Sequence, residues 1–209
     1  IDPKLFTNTQ IKNFFLKNNK IKYINKNLVD EIKNQREGFK IPFFSLSKNI
    51  VGESVSSKIK KISSYLKKNK TDYIFISAPE NVAWLLNIRG GDGPNSPIPN
   101  SRLIISKTKK ILLISKKDKC KQLIKNKIIK LNQFLDVDKM PKEIFKLKGK
   151  KFIIDDKSCS IFYENLISSR FKIVSKEDPI YLLKAIKNKV EINNTINAHI
   201  LDGVALTKF

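Results

Sequence analysis

The amino-acid sequence predicts an α/β fold in which a mixed sheet is flanked by helices. From Val51 onward, segments with helical spacing of apolar residues alternate with short apolar runs of strand length. Two of these runs, RLIIS at 102–106 and ILLIS at 111–115, are separated only by KTKK, which is typical of an antiparallel hairpin. Helices and strands that alternate around one hairpin indicate an α/β domain with a mixed sheet.

The first fifty residues show a different pattern. A helix is predicted at 5–18, beginning near Thr7 or Thr9. Its apolar face comprises Ile11, Phe14 and Phe15. Residues 36–49 show neither the helical nor the strand period and contain Gly38 and Pro42, so they are predicted to be a linker.

The regular pattern starts with a helix whose apolar positions are Val55, Ile59, Ile62 and Leu66. The run DYIFISA at 72–78 then predicts a short buried strand. A brief helix should come next, with Ser77 as its N-cap and Pro79 in its first turn. The packing residues expected on this helix are Val82, Trp84, Leu85 and Leu86.

Beyond the hairpin, helices and strands continue to alternate. The predicted order is a helix near 117–126, a strand near 128–134, a helix at 138–147, a strand at 151–156, a helix at 159–168 and a strand at 171–175. Residues 178–187 should lead out of the domain. Asn188 followed by Glu191 resembles a capping box, which predicts a helix running to Phe209.

The charge of the chain is strongly positive, with 42 Lys and Arg against 19 Asp and Glu. A charge of +23 suits a nucleic-acid-binding module. Yet only four residues are arginine, and lysines in runs such as KIKKISSYLKKNK alternate with apolar residues, as on solvated helix faces. The solvated interpretation is favoured, and a hydrophobic content of 41% excludes a disordered chain.

Most catalytic constellations are missing from the sequence. His199 is the only histidine, so a His-rich metal site is excluded, and it is interpreted as a packed or partly exposed helical residue. Cys120 and Cys159 have neither zinc-ligand nor disulfide-framework spacing, which fits a reducing cytosol. Asp155 and Asp156 end a predicted strand, and capping toward Ser158 is favoured over a metal or ribose site. No apolar run is long enough to span a membrane.

The segment 77–106 contains the only tryptophan of the chain, three of its seven glycines and four of its eight prolines. Gly90 and Gly91 are expected to give the backbone a path with positive φ, and Pro94, Pro97 and Pro99 are expected to stiffen the rest of the loop. A stiff loop could fix Arg89 and Asp92. Two interpretations stay open: an Arg–Asp clamp that closes the loop on its own domain, or a role in binding.

The sequence ENVAWLLNIRGGDGPNSPIPNSRLII in this segment resembles the N-terminal part of aminopeptidase P, the X-Pro aminopeptidase of the creatinase and prolidase superfamily. It matches a short helix ending in Trp-Leu, then Asn-(Ile/Leu)-Arg-Gly-(Gly/Ser)-Asp, a proline-bearing loop and a strand. The likeness continues at IDPKLFT, at IVGESVSSKI and at LLKAIKNKVEINNTINAHILDGVALTKF. In collinear order these match the long, three-domain form of the family.

The resemblance implies three regions. Residues 1–40 correspond to the C-terminal remnant of a first creatinase-like N-terminal domain, 46–178 to the second such domain, and 186–209 to the first helix of a pita-bread catalytic domain. The missing remainder would carry a dinuclear metal centre, usually manganese, bound by two Asp, one His and two Glu. None of these ligand motifs lies in the chain, so it is expected to hold no catalytic residue, metal ligand or cofactor. Both ends of the sequence are expected to be cut.

The resemblance also implies that Arg89, Asp92 and Trp84 help to shape the substrate cleft. The expected partners are the chain's own catalytic domain, a proline-containing peptide and, in a homodimer, a second copy, all in the cytoplasm. Specific nucleic acid and membranes are not expected. Asn95 replaces a frequent His of the family and Lys33 a frequent Trp. A basic nucleic-acid-binding module and a free-standing, creatinase-like partner-binding domain remain the alternatives.

Overall fold

The structure is a computed structural model that describes residues 1–15, 19–24, 26–32, 41–93 and 95–209. The helices are α1 (Asn8–Phe14), α2 (Leu28–Ile32), α3 (Lys48–Val51), α4 (Val55–Lys68), α5 (Pro79–Leu86), α6 (Lys117–Lys125), α7 (Met140–Lys146), α8 (Ile161–Ser168), α9 (Ile180–Ala185) and α10 (Lys189–Lys208). The strands are β1 (Phe44–Ser45), β2 (Tyr73–Ile76), β3 (Ile88–Arg89), β4 (Arg102–Ser106), β5 (Ile111–Ser115), β6 (Phe134–Asp136), β7 (Lys151–Ile154) and β8 (Lys172–Ser175).

Within the described ranges, six strands form one mixed sheet in the order β6-β5-β4-β2-β7-β8. The centre is antiparallel: β4 pairs with β2 on one side and with β5 on the other. The flanks are parallel, because β6 joins β5, β7 joins β2 and β8 joins β7 in the same direction. The predicted hairpin and the predicted mixed sheet are thus both confirmed.

The sheet is buried on both faces, as a sheet flanked by crossover helices must be. Along β2, Ile74 and Ile76 join one apolar cluster and Phe75 joins the other, since successive side chains point to opposite faces. Helices α4, α5, α6 and α9 contribute to the first cluster, and α7 and α8 to the second. The result is a three-layer α/β/α sandwich with its core on either side of the sheet.

The structure corrects two of the predicted elements. The segment 36–49 is not structureless where it is described, because Phe44–Ser45 pairs with Ile88–Arg89 and Phe43 is fully buried. The strand predicted near 128–134 begins only at Phe134, since a 3₁₀ turn at Leu131–Gln133 comes first. Both segments are too short or too irregular to show a period of their own.

The helix ends confirm two of the predicted caps and correct a third. Thr7 caps α1 in a capping box with Gln10, and Asn188 caps α10 in a capping box with Glu191. Ser77 does not cap α5: the N-cap position is Ala78, and the Ser77 hydroxyl hydrogen-bonds the Ser158 hydroxyl at 2.7 Å. None of the described helices is long and apolar enough to cross a membrane.

Candidate functional site

The candidate site is the loop after α5. Helix α5 ends at Asn87, which adopts the left-handed conformation with φ of 53° and turns the chain directly into β3. The Asn87 side chain donates to the Glu53 carbonyl at 2.9 Å. Strand β3 pairs with β1, so Arg89 lies opposite Phe44. A short strand and a cap with a fixed conformation therefore place Arg89 at the start of the loop.

Arg89 is half-buried and bonds to backbone of its own domain. Its Nη1 donates to the carbonyl of Ile88 at 2.9 Å and to that of Ala83 at 3.4 Å. Burial lowers the pKa of Arg89, but a guanidinium stays charged at any physiological pH. Among the described residues, no carboxylate forms an ion pair with Arg89. The arginine therefore keeps its charge, and the described part of the chain offers it no fixed counter-ion.

Asp92 is held by different groups. Its carboxylate pairs with Lys119 Nζ of α6 at 2.7 Å and accepts from the Asn100 backbone N–H at 2.7 Å. Of the two interpretations left open, the Arg–Asp clamp is therefore wrong, because Asp92 fastens the loop to α6 and Arg89 bonds the carbonyls of Ala83 in α5 and Ile88 in β3. The loop is closed on its own domain, as that interpretation expected, but through a lysine.

The two glycines of the loop are needed for space rather than for positive φ. Neither Gly90 nor Gly91 has positive φ, contrary to expectation. A Cβ on Gly90 would lie 2.7 Å from Phe43 Cδ1, and one on Gly91 would lie 2.7 Å from Ile41 Cδ1. Residues 41–43 thus pack directly on the loop backbone. The Pro97 carbonyl accepts from the Gly90 N–H at 3.0 Å, while Pro94 lies outside the described residues.

Trp84 faces a groove on the other side of α5. This groove has a volume of about 640 Å³, and α5, α9 and α10 line it. The indole N–H of Trp84 donates to Glu191 Oε1 of α10 at 3.3 Å. Trp84 therefore lies in the C-terminal half of α5 and Arg89 lies in β3 just after that helix, whereas Asp92 is fastened to α6.

Sequence reasoning missed Lys58. The run KIKKISSYLKKNK was interpreted as a solvated face, yet Lys58 is only 1% exposed. Its Nζ donates to Trp84 O at 2.8 Å and to Asn87 Oδ1 at 2.7 Å. Burial lowers its pKa to about 8, although Glu191 and Glu53 act to raise it. The available signal was its spacing: position 58 lies three residues after Val55 and four before Ile62, on the apolar stripe.

Asp155 does not cap toward Ser158 as expected. Its side chain accepts from the backbone N–H groups of Lys157 at 2.9 Å and Asp178 at 3.2 Å. Asp178 in turn accepts from Asn81 Nδ2 at 2.7 Å. Burial raises the pKa of Asp178 to about 6, so this carboxyl sits in a largely dry network. The network fastens the entry of α9 to the end of β7.

The remaining candidate chemistry is inert or exposed. His199 lies exposed on α10 at the edge of the groove, and Asn95 is exposed on the loop. Both cysteines are free and buried, and burial raises the pKa of Cys120 to about 12. In the described part of the chain, no three His, Cys, Asp or Glu side chains are arranged to hold a metal ion.

Known proteins are similar to this chain in sequence and in fold. Xaa-Pro aminopeptidase 1 of Dictyostelium discoideum is 34% identical over 197 residues, which cover 88% of this chain and 30% of that protein. Aminopeptidase P1 of Arabidopsis thaliana is 26% identical over 226 residues, covering 95% of this chain and 35% of that protein. The chain thus spans about a third of the length of these relatives.

A solved structure of X-prolyl aminopeptidase from Caenorhabditis elegans, described as a cytosolic enzyme with a di-nuclear active site, has the same fold. It superposes with a TM-score of 0.73 at 22% identity, over 89% of this chain and 31% of that one. The family model of the creatinase/prolidase N-terminal domain matches residues 13–191. Because that match spans most of the sequence, the chain belongs to the family of creatinase/prolidase N-terminal domains.

Proposed function

We propose that this chain is the non-catalytic front part of a cytoplasmic, metal-dependent X-Pro aminopeptidase, which removes the N-terminal residue from peptides with proline in second position. The relatives named as Xaa-Pro aminopeptidases align over nearly the whole chain and extend well beyond it. The description of the Caenorhabditis elegans protein as cytosolic supports the compartment. The proposed division is a first-domain remnant at 1–40, a second domain at 46–178 and the first catalytic-domain helix at 186–209.

Helix α10 supports this division. Four of its apolar residues have a four-residue spacing and remain between 45% and 58% exposed: Ile192, Ile196, Ile200 and Val204. An apolar stripe on a helix normally packs against a core. We assign the covering surface to the catalytic domain of the same protein, which is the principal partner of this chain.

The metal centre belongs to that catalytic domain in this proposal. The di-nuclear active site described for the Caenorhabditis elegans enzyme supports a pair of metal ions there. We expect manganese, which would activate the water for hydrolysis. The described side chains of this chain do not form a set that fits such a pair, so no step of the hydrolysis is assigned to them.

Arg89 carries the functional assignment. It is half-buried, oriented by the carbonyls of Ile88 and Ala83, and without a carboxylate partner among the described residues. A guanidinium fixed in this way is prepared for a carboxylate or carbonyl from outside the domain. We assign Arg89 to the wall of the substrate cleft or to a subunit interface beside it, with Asp92 fixing its loop and Trp84 the adjacent groove.

Replacing Arg89 by alanine in the complete enzyme tests this role. The Arg89→Ala variant should lose at least about tenfold in kcat/KM for an X-Pro peptide, because a positioned charged hydrogen bond contributes roughly 1.5–3 kcal/mol. Arg170→Ala is the matched control, since Arg170 also donates to carbonyls of its own domain but is exposed. Equal kcat/KM in both folded variants would contradict the assignment of Arg89 to the cleft wall.

The non-catalytic assignment has its own test. The 209-residue chain, incubated with Mn²⁺ and an X-Pro peptide, should release no N-terminal residue. Cleavage above a metal-free blank would contradict the assignment. The remaining alternative, a free-standing partner-binding domain, is tested by translating the coding DNA beyond Phe209. An open frame with Asp, His and Glu ligand motifs supports an aminopeptidase. An immediate stop codon favours the free-standing domain.

A further inference from the structure

Lys58 occupies an unusual position for a lysine, because its charged group ends inside the domain. The side chain leaves α4 on its apolar face and is 1% exposed. Its Nζ bonds two acceptors at the C-terminal end of α5, the carbonyl of Trp84 at 2.8 Å and Oδ1 of Asn87 at 2.7 Å. A buried ammonium with two short hydrogen bonds acts as a C-terminal cap on α5, where positive charge is favourable.

The same ammonium also fixes the Trp84 ring. Nζ lies 3.8 Å from the ring centroid, well within the range of a cation–π contact. The Lys58 ammonium therefore contacts both the backbone carbonyl and the ring of Trp84. With the ring held in this orientation, the indole N–H meets Glu191 Oε1 at 3.3 Å. Lys58 thus acts on α10 through Trp84.

Glu191 belongs to the first turn of α10, which is fastened on its other side as well. Asn188 Nδ2 donates to Val51 O at 2.9 Å, and a Cβ on Gly52 would lie 2.3 Å from Asn188 Oδ1. One turn further, Asn194 Nδ2 donates to Ile50 O at 3.1 Å. The start of α10 is therefore held between residues 50–52 and Trp84, whereas none of its side chains is buried by the described residues.

We propose that Lys58 is a positioning residue that holds Trp84 against the first turn of α10 and thereby sets the direction in which this helix leaves the α/β domain. The inference concerns the joint between the domain and α10 and does not depend on the proposed peptidase function.

The charges around Lys58 make the joint sensitive to pH. Glu191 faces it from α10 and Glu53 from the segment before α4, while Arg89 of β3 and Lys61 of α4 add positive charge. Burial outweighs the two carboxylates, so the ammonium loses its proton in the weakly alkaline range. The neutral amine loses the cation–π contact and weakens both hydrogen bonds. The surroundings of the indole should change in the same pH range.

Trp84 is the only tryptophan of the chain, so the tryptophan fluorescence of the protein reports the surroundings of this one side chain. In the 209-residue chain, the Trp84 emission should titrate with a midpoint near pH 8. Lys58→Arg keeps a charge that does not titrate in this range, so its emission should stay constant. An unchanged midpoint in Lys58→Arg would overturn the proposal, because another group would then hold the proton.

Hydrogen exchange of α10 provides the second readout. Lys58→Met should speed the exchange of amides in the first two turns of α10 by roughly tenfold, because Trp84 is no longer held against Glu191. Lys60→Met is the matched control, since Lys60 is an exposed lysine of the same helix. Equal exchange in the Lys58→Met and Lys60→Met variants would overturn the proposal. If Lys58→Met does not fold, Trp84→Phe replaces it, because phenylalanine has no N–H to donate to Glu191 Oε1, with the same acceleration expected and the same control.

Discussion

Helices α4 and α10 show the same helical spacing of apolar residues in the sequence, but the structure buries only the apolar face of α4. Both have apolar residues at helical spacing, and both are capped at their N-terminus by a side chain, Ser54 and Asn188 respectively. Helix α4 buries Ile59, Ile62 and Leu66 against the sheet. None of the side chains of α10 is buried by the described residues. The comparison shows that periodicity predicts a helix and its apolar face, but not the surface that covers the face.

This difference has an energetic consequence. Helix propensity and capping contribute tenths to about one kilocalorie per residue, whereas burial of an apolar side chain contributes more. Helix α4 should therefore share the stability of the whole domain, while α10 should depend on its cap and on the contacts of its first turn. Matched substitutions in the two helices can test that division.

Ile62→Ala should have the largest effect. Ile62 is fully buried in the core, so its truncation leaves a cavity and should lower the free energy of unfolding by about 2–5 kcal/mol. Ile196→Ala makes the same change on α10, where Ile196 is 52% exposed, and should cost less than about 0.5 kcal/mol. Urea denaturation of both variants measures the difference. A loss above about 2 kcal/mol in Ile196→Ala would mean that this face is already covered.

Glycine-to-alanine substitutions compare a crowded position in the α/β domain with an open position on α10. A Cβ on Gly90 would meet Phe43 at 2.7 Å and the backbone of Pro99 at 3.0 Å. Gly90→Ala should therefore destabilise the domain by roughly 1–3 kcal/mol through overpacking. Thermal and urea denaturation of the folded variant would measure this loss.

Gly203→Ala is the matched change on α10, where nothing lies within 4 Å of the added Cβ. Because alanine favours the helix by about 1 kcal/mol over glycine, this variant should slow amide exchange in α10 without lowering the stability of the domain. Destabilisation by Gly203→Ala, or none by Gly90→Ala, would contradict the assignment of the two glycines to an open and a crowded site.

The core of the fold was predictable because it depends on local patterns. Strand β2 and the hairpin of β4 and β5 are short apolar runs between turn residues, and Asn188 with Glu191 is a capping signal written in four positions. The short pair of β1 and β3 was not predictable. Its strands are two residues long, and their pairing depends on Phe43 entering the core.

For the site residues, too, local sequence was informative and partners distant in the chain were not predictable. The sequence placed Arg89 and Asp92 on a fixed loop, but it could not choose the partner of Asp92, since Lys119 is distant in the chain and one of many lysines. Lys58 was missed because lysine is normally exposed, although the spacing of position 58 places it on the apolar stripe of α4. A lysine three or four residues from apolar neighbours on one helix face is the pattern to look for.

The two caps are a third matched pair, with a smaller expected loss than Ile62→Ala. Ser54 accepts from the Ser57 N–H at 3.2 Å, and Asn188 accepts from the Glu191 N–H at 3.1 Å. Each alanine variant should cost about 1 kcal/mol. For Ser54→Ala that loss should appear in the unfolding of the whole domain. For Asn188→Ala it should appear as faster amide exchange in α10, with the midpoint of global unfolding little changed.

Equal shifts of the global midpoint in both cap variants would mean that α10 unfolds together with the sheet. Its first turn, held by Val51 and Trp84, would then transmit stability from the core along an otherwise open helix. Separate behaviour would instead confine the coupling to that first turn. The rest of α10, with Ile196, Ile200 and Val204 about half exposed, would then have only its own helix propensity and no stabilisation from the core.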